Sequence, residues 1–415
     1  MYPSLFQNLL QRTSRGSPVI HSPVGLKLND YQTEALKADK SPDTSLAFPL
    51  LGLFGEAGSL LSVVKKKQRD RAAYLGYAPN VTEELGDVLW YFAVVASRGG
   101  IALSDIANNL NRGFSDWQDG GGQELLFRAL QSSSSSSSSV IRDQPTPEFE
   151  NTLLELAGEI GAIVSDQQTG RLNGNQAALK GRLVAIMRTL VKAADEAGVT
   201  LEAAAEGNLR KIFDRWPTIP KYPDPFDKDA LKNEQLPREF TIDIFEREVR
   251  GQVYVFQQCN GINIGDRLTD NAIEPDDYRF HDAFHYAYGA VLTWSPVMRA
   301  LLRLKRKSDP LMDEAEDGAR ALLIEEGISS WIFGQAKRLD FFAGMKPGDL
   351  SFDILKTVRQ FVTGYEPERC PLWLWEKAIL QGFDAFRFLK ENRRARLRID
   401  MEQRQLIVGE LPHDT

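Results

Sequence analysis

Cysteine is scarce. Cys259 and Cys370 stand far apart and lack the spacing of a metal site. That argues against a disulfide framework and for a reducing compartment, with the cytoplasm as the simplest address. Histidine is scarce too, with four in the chain. A positive charge balance is missing: 50 Lys and Arg against 57 Asp and Glu leave a net charge of -7. A broad nucleic-acid-binding surface is therefore not expected. No apolar run approaches the roughly 20 residues that cross a bilayer, so no membrane partner is expected. The opening MYPSLFQNLLQRTSRGS lacks a long apolar core followed by a small-residue cleavage site, which argues against a signal peptide. What is present is 42% hydrophobic and 26% charged residues, the balance of a soluble globular protein. The length suits about two to four domains.

Long stretches of helical periodicity and few alternating runs predict an all-α protein. Residues 1–27, punctuated by Pro3, Gly16, Pro18, Pro23 and Gly25, read as an arm. A first helical unit covers 28–117, with Asn29 or Asp30 as the N-cap of its first helix. Residues 118–147 contain DGGGQ and the serine run Ser132 to Ser139, and read as a flexible linker. Residues 148–216 repeat the first unit: GEIGAIVS lies over GEAGSLLS, and AGVTLEAAAEGNLRKIFDRW over GGIALSDIANNLNRGFSDW. The proline- and charge-rich 217–239 reads as a second linker, 240–406 as a mainly helical C-terminal domain, and 407–415 as a tail.

Chemistry concentrates between Leu51 and Trp117. Glu56 sits among Leu51, Phe54, Ala57, Leu60 and Leu61. Glu84 and Asp87, three apart on a helix that Thr82 is expected to cap, share one face. Glu83 is turned about 100° away. Acids beside an apolar stripe are costly unless something pairs with them. A divalent cation with phosphate oxygens is a common partner. The basic run Lys65, Lys66, Lys67, Arg69 and Arg71 either favours a helix C-terminus or clamps phosphate beside the acids. In the second copy Glu159 matches Glu56, but Arg182 stands opposite Glu84 and Ala185 opposite Asp87. That copy has its own basic end, Arg210, Lys211 and Arg215. Each copy lacks what the other retains, so acids from the first and Lys211 or Arg215 from the second are expected to complete one site.

GLFGEAGSL, the lysines after it, EELGDVLWYF and GIALSDIANNL resemble the MazG-like nucleoside triphosphate pyrophosphohydrolases of the all-α NTP pyrophosphatase superfamily. EAAAEGNLRKIFDRW resembles that family's closing segment, so the resemblance covers 28–216. It implies tandem helical repeats forming a bundle and a pocket that binds Mg²⁺, with Mn²⁺ as an alternative, and a nucleoside triphosphate. Water would attack between the α and β phosphates, leaving a monophosphate and pyrophosphate. Glu56, Glu84 and Asp87 would be the catalytic and metal-holding acids. Lys65, Lys66, Asn109, Lys211 and Arg215 would bind substrate. A homo-oligomer is expected, serving nucleotide-pool control, sanitation or phage defence. One position departs from the family's E-x-x-E: Ser59 stands where the second Glu would be.

The last unit resembles a domain found C-terminal to MazG-like modules, through RFHDAFHYAYGAVLTWSP and EDGARALLIEEGIS. His281 and His285 lie four apart, the helical spacing that lets two imidazoles meet one metal. Asp282 and Glu325 are candidate co-ligands, with Glu316, Asp317 and Glu326 also near in sequence. The other reading is a core helix whose histidines hydrogen-bond buried acids. Arg299, Arg303, Lys305, Arg306 and Lys307 read as a solvated face or as a patch for nucleotide or an acidic partner. Trp373, Trp375, Phe383, Phe386 and Phe388 read as core, and ENRRARLRID as an exposed helix end.

Overall fold

The structure is a computed structural model that describes residues 25–110, 125–131 and 142–412. These form two compact units, divided between residues 213 and 214.

The first unit is helical. It comprises α1 (Leu28–Leu36), α2 (Ala47–Asp70), α3 (Tyr77–Arg98), α4 (Leu103–Leu110), α5 (Pro147–Gln168), α6 (Gln176–Ala197) and most of α7 (Leu201–Arg215). In α2 the buried side chains are Leu50, Leu53, Ala57, Leu60, Val63 and Val64, a stripe at helical spacing. Each fully buried Leu contributes about 1.5–3 kcal/mol over leaving it in water. Their partners lie on α3, whose Val81, Leu85, Val88, Leu89 and Phe92 are buried in turn. The second copy repeats the hairpin with α5 and α6, and α5 packs on α2. By length and composition α2 and the short turn after it are long and apolar enough to cross a membrane, contrary to expectation.

Helix starts differ from those expected. α1 begins at Leu28 without a side-chain cap, and Asn29 instead bonds Ser104. α3 begins at Tyr77, so Thr82 lies inside it and donates to the Ala78 carbonyl. Pro79 is tolerated because first-turn N–H groups have no helical partner anyway. Gly76, at φ 73°, makes the entry. Part of the expected 118–147 linker is structured. Leu126 bridges Lys27, and Phe127 is buried edge-on to Tyr31, ring centroids 5.3 Å apart. The serine run and the arm at 1–24 lie outside the described residues.

The C-terminal unit departs most from the all-α expectation. It contains a five-stranded antiparallel sheet of order β3-β2-β1-β4-β5. The strands are β1 (Glu239–Val249), β2 (Gln252–Cys259), β3 (Ile262–Asn263), β4 (Arg394–Asp400) and β5 (Gln405–Gly409). FEREVRGQVYVFQQ, expected to be helical, is the β1–β2 hairpin. Arg250 and Gly251 both take positive φ, as a two-residue hairpin turn of the favoured hand requires. RARLRID is also strand: Ala395, Leu397 and Ile399 point inward while the arginines alternate outward. Arg393 at φ 61° stops the preceding helix. The expected boundary at 406/407 falls inside β5, whose last residues, Ile407 to Gly409, are paired with β4.

The helices of this unit include α8 (Asp282–Leu292), α9 (Pro296–Leu302), α10 (Pro310–Ala315), α11 (Ala319–Ala336), α12 (Phe352–Val362) and α13 (Leu372–Asn392). α8 is buried on every side, against α13, β4 and β5. Trp375, Phe383 and Phe386 are core as expected. The 217–239 stretch is not a loose connection. Asp227, fully buried, accepts from the Leu236 N–H at 2.7 Å and from Arg299 at 2.9 Å. The 299–307 run is only partly a solvated face: Arg303 and Lys307 are exposed as expected. Arg299 and Arg306 are buried and neutralised by Asp227, Asp317 and Glu366. A buried guanidinium needs such partners because desolvation would otherwise be severe.

Candidate functional site

The first unit gathers three carboxylates. α2 supplies Glu56, α3 supplies Glu84 and Asp87, and an oxygen from each lies within 4.8 Å of the others. α7 closes the cluster. Lys211 Nζ is 2.5 Å from Asp87 Oδ2 and 3.2 Å from Glu83 Oε1. Asn208 donates to Asp87 Oδ1 at 3.0 Å and accepts from the Tyr31 hydroxyl at 3.2 Å. Glu83 therefore faces the lysine, and its place on the helix does not remove it from the site.

Glycine makes this approach fit. A Cβ on Gly86 would lie 2.7 Å from the Ala204 carbonyl oxygen of α7, so only glycine lets that helix bring Asn208 and Lys211 to Asp87. Gly52 likewise leaves room for the Tyr91 ring, which a Cβ would meet at 2.0 Å. Gly86 in EELGDV and Gly52 in LGLFG are signals that carry no charge.

The electrostatics record the crowding. Burial, then the charges of Asp87, Glu56 and Glu83, pushes the Glu84 carboxyl up to about 7. Glu56 is raised by burial and Asp87, partly offset by Lys211 and a hydrogen bond from Ser59. Ser59, in the place of the expected acid, thus serves Glu56. Asp87 is raised by burial against the opposing pull of Lys211 and Asn208. Three carboxyls raised together describe a site short of positive charge, and a cation suits it.

Two family models match this chain. The MazG nucleotide pyrophosphohydrolase domain matches residues 47–114, and the MazG C-terminal domain matches 221–412. The chain is a MazG-like protein with an appended MazG C-terminal domain. Over 70 residues it is 37% identical to the Gene 37 protein of Mycobacterium phage L5. That match spans 16% of this chain and 61% of the phage protein's length. No solved structure matches. The MazG family hydrolyses nucleoside triphosphates and depends on a metal.

Other residues expected to bind substrate lie elsewhere in this MazG-like chain. Lys65 is nine residues beyond Glu56, half a turn around α2 and about 14 Å along it. It lines a separate groove of about 440 Å³ with Gly58, Leu61, Ser62, Glu150 and Leu154. Lys66 is exposed about 15 Å along the same helix. Asn109 turns back to donate to the Asp105 carbonyl of its own helix at 2.6 Å. Arg215 lies past the division, within the C-terminal unit, where it donates to the Leu350 and Gly348 carbonyls and stacks on Trp216. Of the two basic residues expected from the second copy, Lys211 reaches the acids and Arg215 is engaged otherwise.

In the C-terminal unit, His281, Asp282 and His285 come together at the start of α8. Glu325 is wholly buried and bonds His285 Nδ1 at 2.9 Å. The acid that faces the two Nε2 atoms is its neighbour, Glu326. Asp317 goes to Arg306 and takes no part in the histidine cluster.

Proposed function

We propose that the acid cluster is the active site of a Mg²⁺-dependent pyrophosphohydrolase that converts a (d)NTP to a (d)NMP and pyrophosphate. The observation that carries this is the gathering of Glu56, Glu84 and Asp87 around one point with Lys211 beside them. Folding alone disfavours like charges in a half-buried place. Glu56, Glu84 and Asp87 would hold the ion, and an all-oxygen donor set suits Mg²⁺ or Mn²⁺. Once bound, the ion would lower the pKa of water and offset phosphate charge. The protein's own part is positioning. Lys211 and Asn208 fix Asp87, and Lys211 keeps a positive charge where a triphosphate would bring negative ones. Glu84, titrating near 7, exchanges its proton at neutral pH and must release it to take a metal.

Self-association belongs to the same reading. Leu51 and Phe54 stand 73% and 50% exposed on α2, an apolar face that a second copy would cover. The role we assign is control or sanitation of a nucleotide pool, with defence against phage as its specialised form.

The test is an NTP and dNTP panel with Mg²⁺ or Mn²⁺, products resolved by phosphorus NMR. Monophosphate and pyrophosphate are expected. Diphosphate with orthophosphate would overturn the chemistry. Tight nucleotide binding without any product would assign the site to sensing, the reading that Ser59 in place of an acid favours.

A further inference from the structure

The C-terminal unit holds a second donor set that the MazG-type chemistry does not use. Tyr278–Phe280 form a short helical turn, and His281 hands over from it to α8. The i, i+4 spacing puts His281 and His285 on one face, one turn apart. α11 lays Glu326 across them. Glu326 Oε2 lies 3.4 Å from His285 Nε2 and 3.8 Å from His281 Nε2. Asp282 Oδ1 is 3.3 Å from His281 Nε2 and 3.9 Å from His285 Nε2. Ligand atoms held about 2.0–2.2 Å from one ion are themselves about 3–3.6 Å apart, so small side-chain shifts close this set on a metal.

The outer contacts orient both rings. His285 Nδ1 meets Glu325 Oε1 at 2.9 Å, and His281 Nδ1 meets the Tyr278 carbonyl at 2.9 Å. Both partners are acceptors, so each Nδ1 carries the proton and, in the neutral ring, each Nε2 presents its lone pair to the common point. Glu325 is fixed by the Ser295 hydroxyl at 2.6 Å and the Val297 N–H at 2.8 Å. Gln257 donates to the other oxygen of Asp282. Carboxylate or carbonyl behind an imidazole is the support that metal-binding histidines commonly have.

A second observation points independently to a ligand. His285 is wholly buried, and its Nε2 has no hydrogen bond of good geometry, with Glu326 Oε2 standing off at 3.4 Å. Buried polar atoms are nearly always satisfied, and this one is aimed at the cluster. The Glu326 side chain is 43% exposed, which leaves one side of the cluster open to solvent.

We propose that His281, His285 and Glu326, with Asp282 beside both rings, bind one divalent first-row transition-metal ion with a coordination position open to solvent. Two imidazoles with carboxylate favour an ion of the Zn²⁺, Fe²⁺, Co²⁺ or Mn²⁺ kind over Mg²⁺. This centre is separate in chemistry from the all-oxygen acid cluster and stands whether or not that cluster turns over nucleotide.

The experiment uses the full chain carrying Glu84→Gln, which silences the acid cluster as a background binder. The protein is stripped with chelator, exposed to Zn²⁺ or Co²⁺, desalted and assayed by elemental analysis, with the Co²⁺ visible spectrum as a second readout. About one equivalent is expected to remain, with a Co²⁺ spectrum of mixed nitrogen and oxygen ligation. Adding Glu326→Gln or His281→Ala should weaken retention at least about tenfold and erase that spectrum. Glu326 is half exposed, so its amide variant reads the site even if a histidine variant fails to fold. Equal metal content with and without Glu326→Gln would overturn the proposal. So would failure of the unsubstituted cluster to retain either ion, which would leave His285 as an imidazolium held between Glu325 and Glu326.

Discussion

In the α2–α3 hairpin three carboxylates face one another and all are pushed above their ordinary range. In the α5–α6 hairpin, built on the same plan, Arg182 occupies the place of Glu84 and pairs with Asp166 at 2.7 Å. Arg171 adds a second contact at 3.3 Å, and the Asp166 carboxyl is held below its ordinary range. One hairpin neutralises itself and the other accumulates like charge. The same scaffold therefore accepts a satisfied arrangement at this position, and the fold does not require the crowded one. Lys211 comes from the helix that follows the second hairpin, so the quiet copy retains a part in the charged one.

Removing that loan should have the largest effect among the tests of the contrast. Lys211→Ala is expected to lower pyrophosphate release about 10- to 100-fold at saturating Mg²⁺, as loss of a residue orienting a metal ligand does. A rate within twofold of the parent would show that the second copy contributes nothing to the first.

pH should act on one hairpin and spare the other. Glu84 titrates at about 7 in the folded chain against 4.5 when unperturbed. Between those values the folded state holds a proton that the unfolded chain has lost. The stability this confers is full below about 4.5 and is lost as pH rises through about 7, when no metal is present. Mg²⁺ affinity should rise across the same interval, because the ion needs the ionised carboxylate. Metal-free melting temperatures and Mg²⁺ titrations between pH 5 and 8 check both directions. A flat profile in both would remove Glu84 from the cluster's electrostatics.

The smallest effect belongs to the neutralised copy. Arg182→Ala should lower the melting temperature only slightly, as loss of a partly exposed ion pair does, and leave turnover unchanged. A large loss of turnover with an intact fold would mean that the second hairpin is not the quiet one.

Much of this was legible in the residues. The spacing of Glu84 and Asp87, the match of GEIGAIVS to GEAGSLLS and the loss of the acid pair in the second copy are all one-dimensional signals. So was the family, carried by EELGDVLWYF. The sheet was not legible as read, for a physical reason. β1 and β4 interleave charged with apolar residues, and Asp243 and Arg396, paired at 2.6 Å across the strands, look like a helix's polar face when each is read alone. The 299–307 run misled in the same way. Arg299 and Arg306 look solvated until Asp227, some 70 residues earlier, and Asp317 and Glu366 are folded against them. At the acid site, Lys65 and Lys66 were attractive by proximity in sequence, yet helical rotation carries Lys65 to the opposite face. Asn208 and Gly86 were missed because their parts exist only once α7 lies on α3.

The most direct measurement is Mg²⁺-dependent pyrophosphate release by Glu84→Gln beside its metal-free melting temperature. Release should fall to background while the melting temperature at pH 8 stays level or rises, because a neutral amide relieves the repulsion among Glu56, Glu84 and Asp87. Turnover retained in a folded Glu84→Gln protein would contradict the proposed active site.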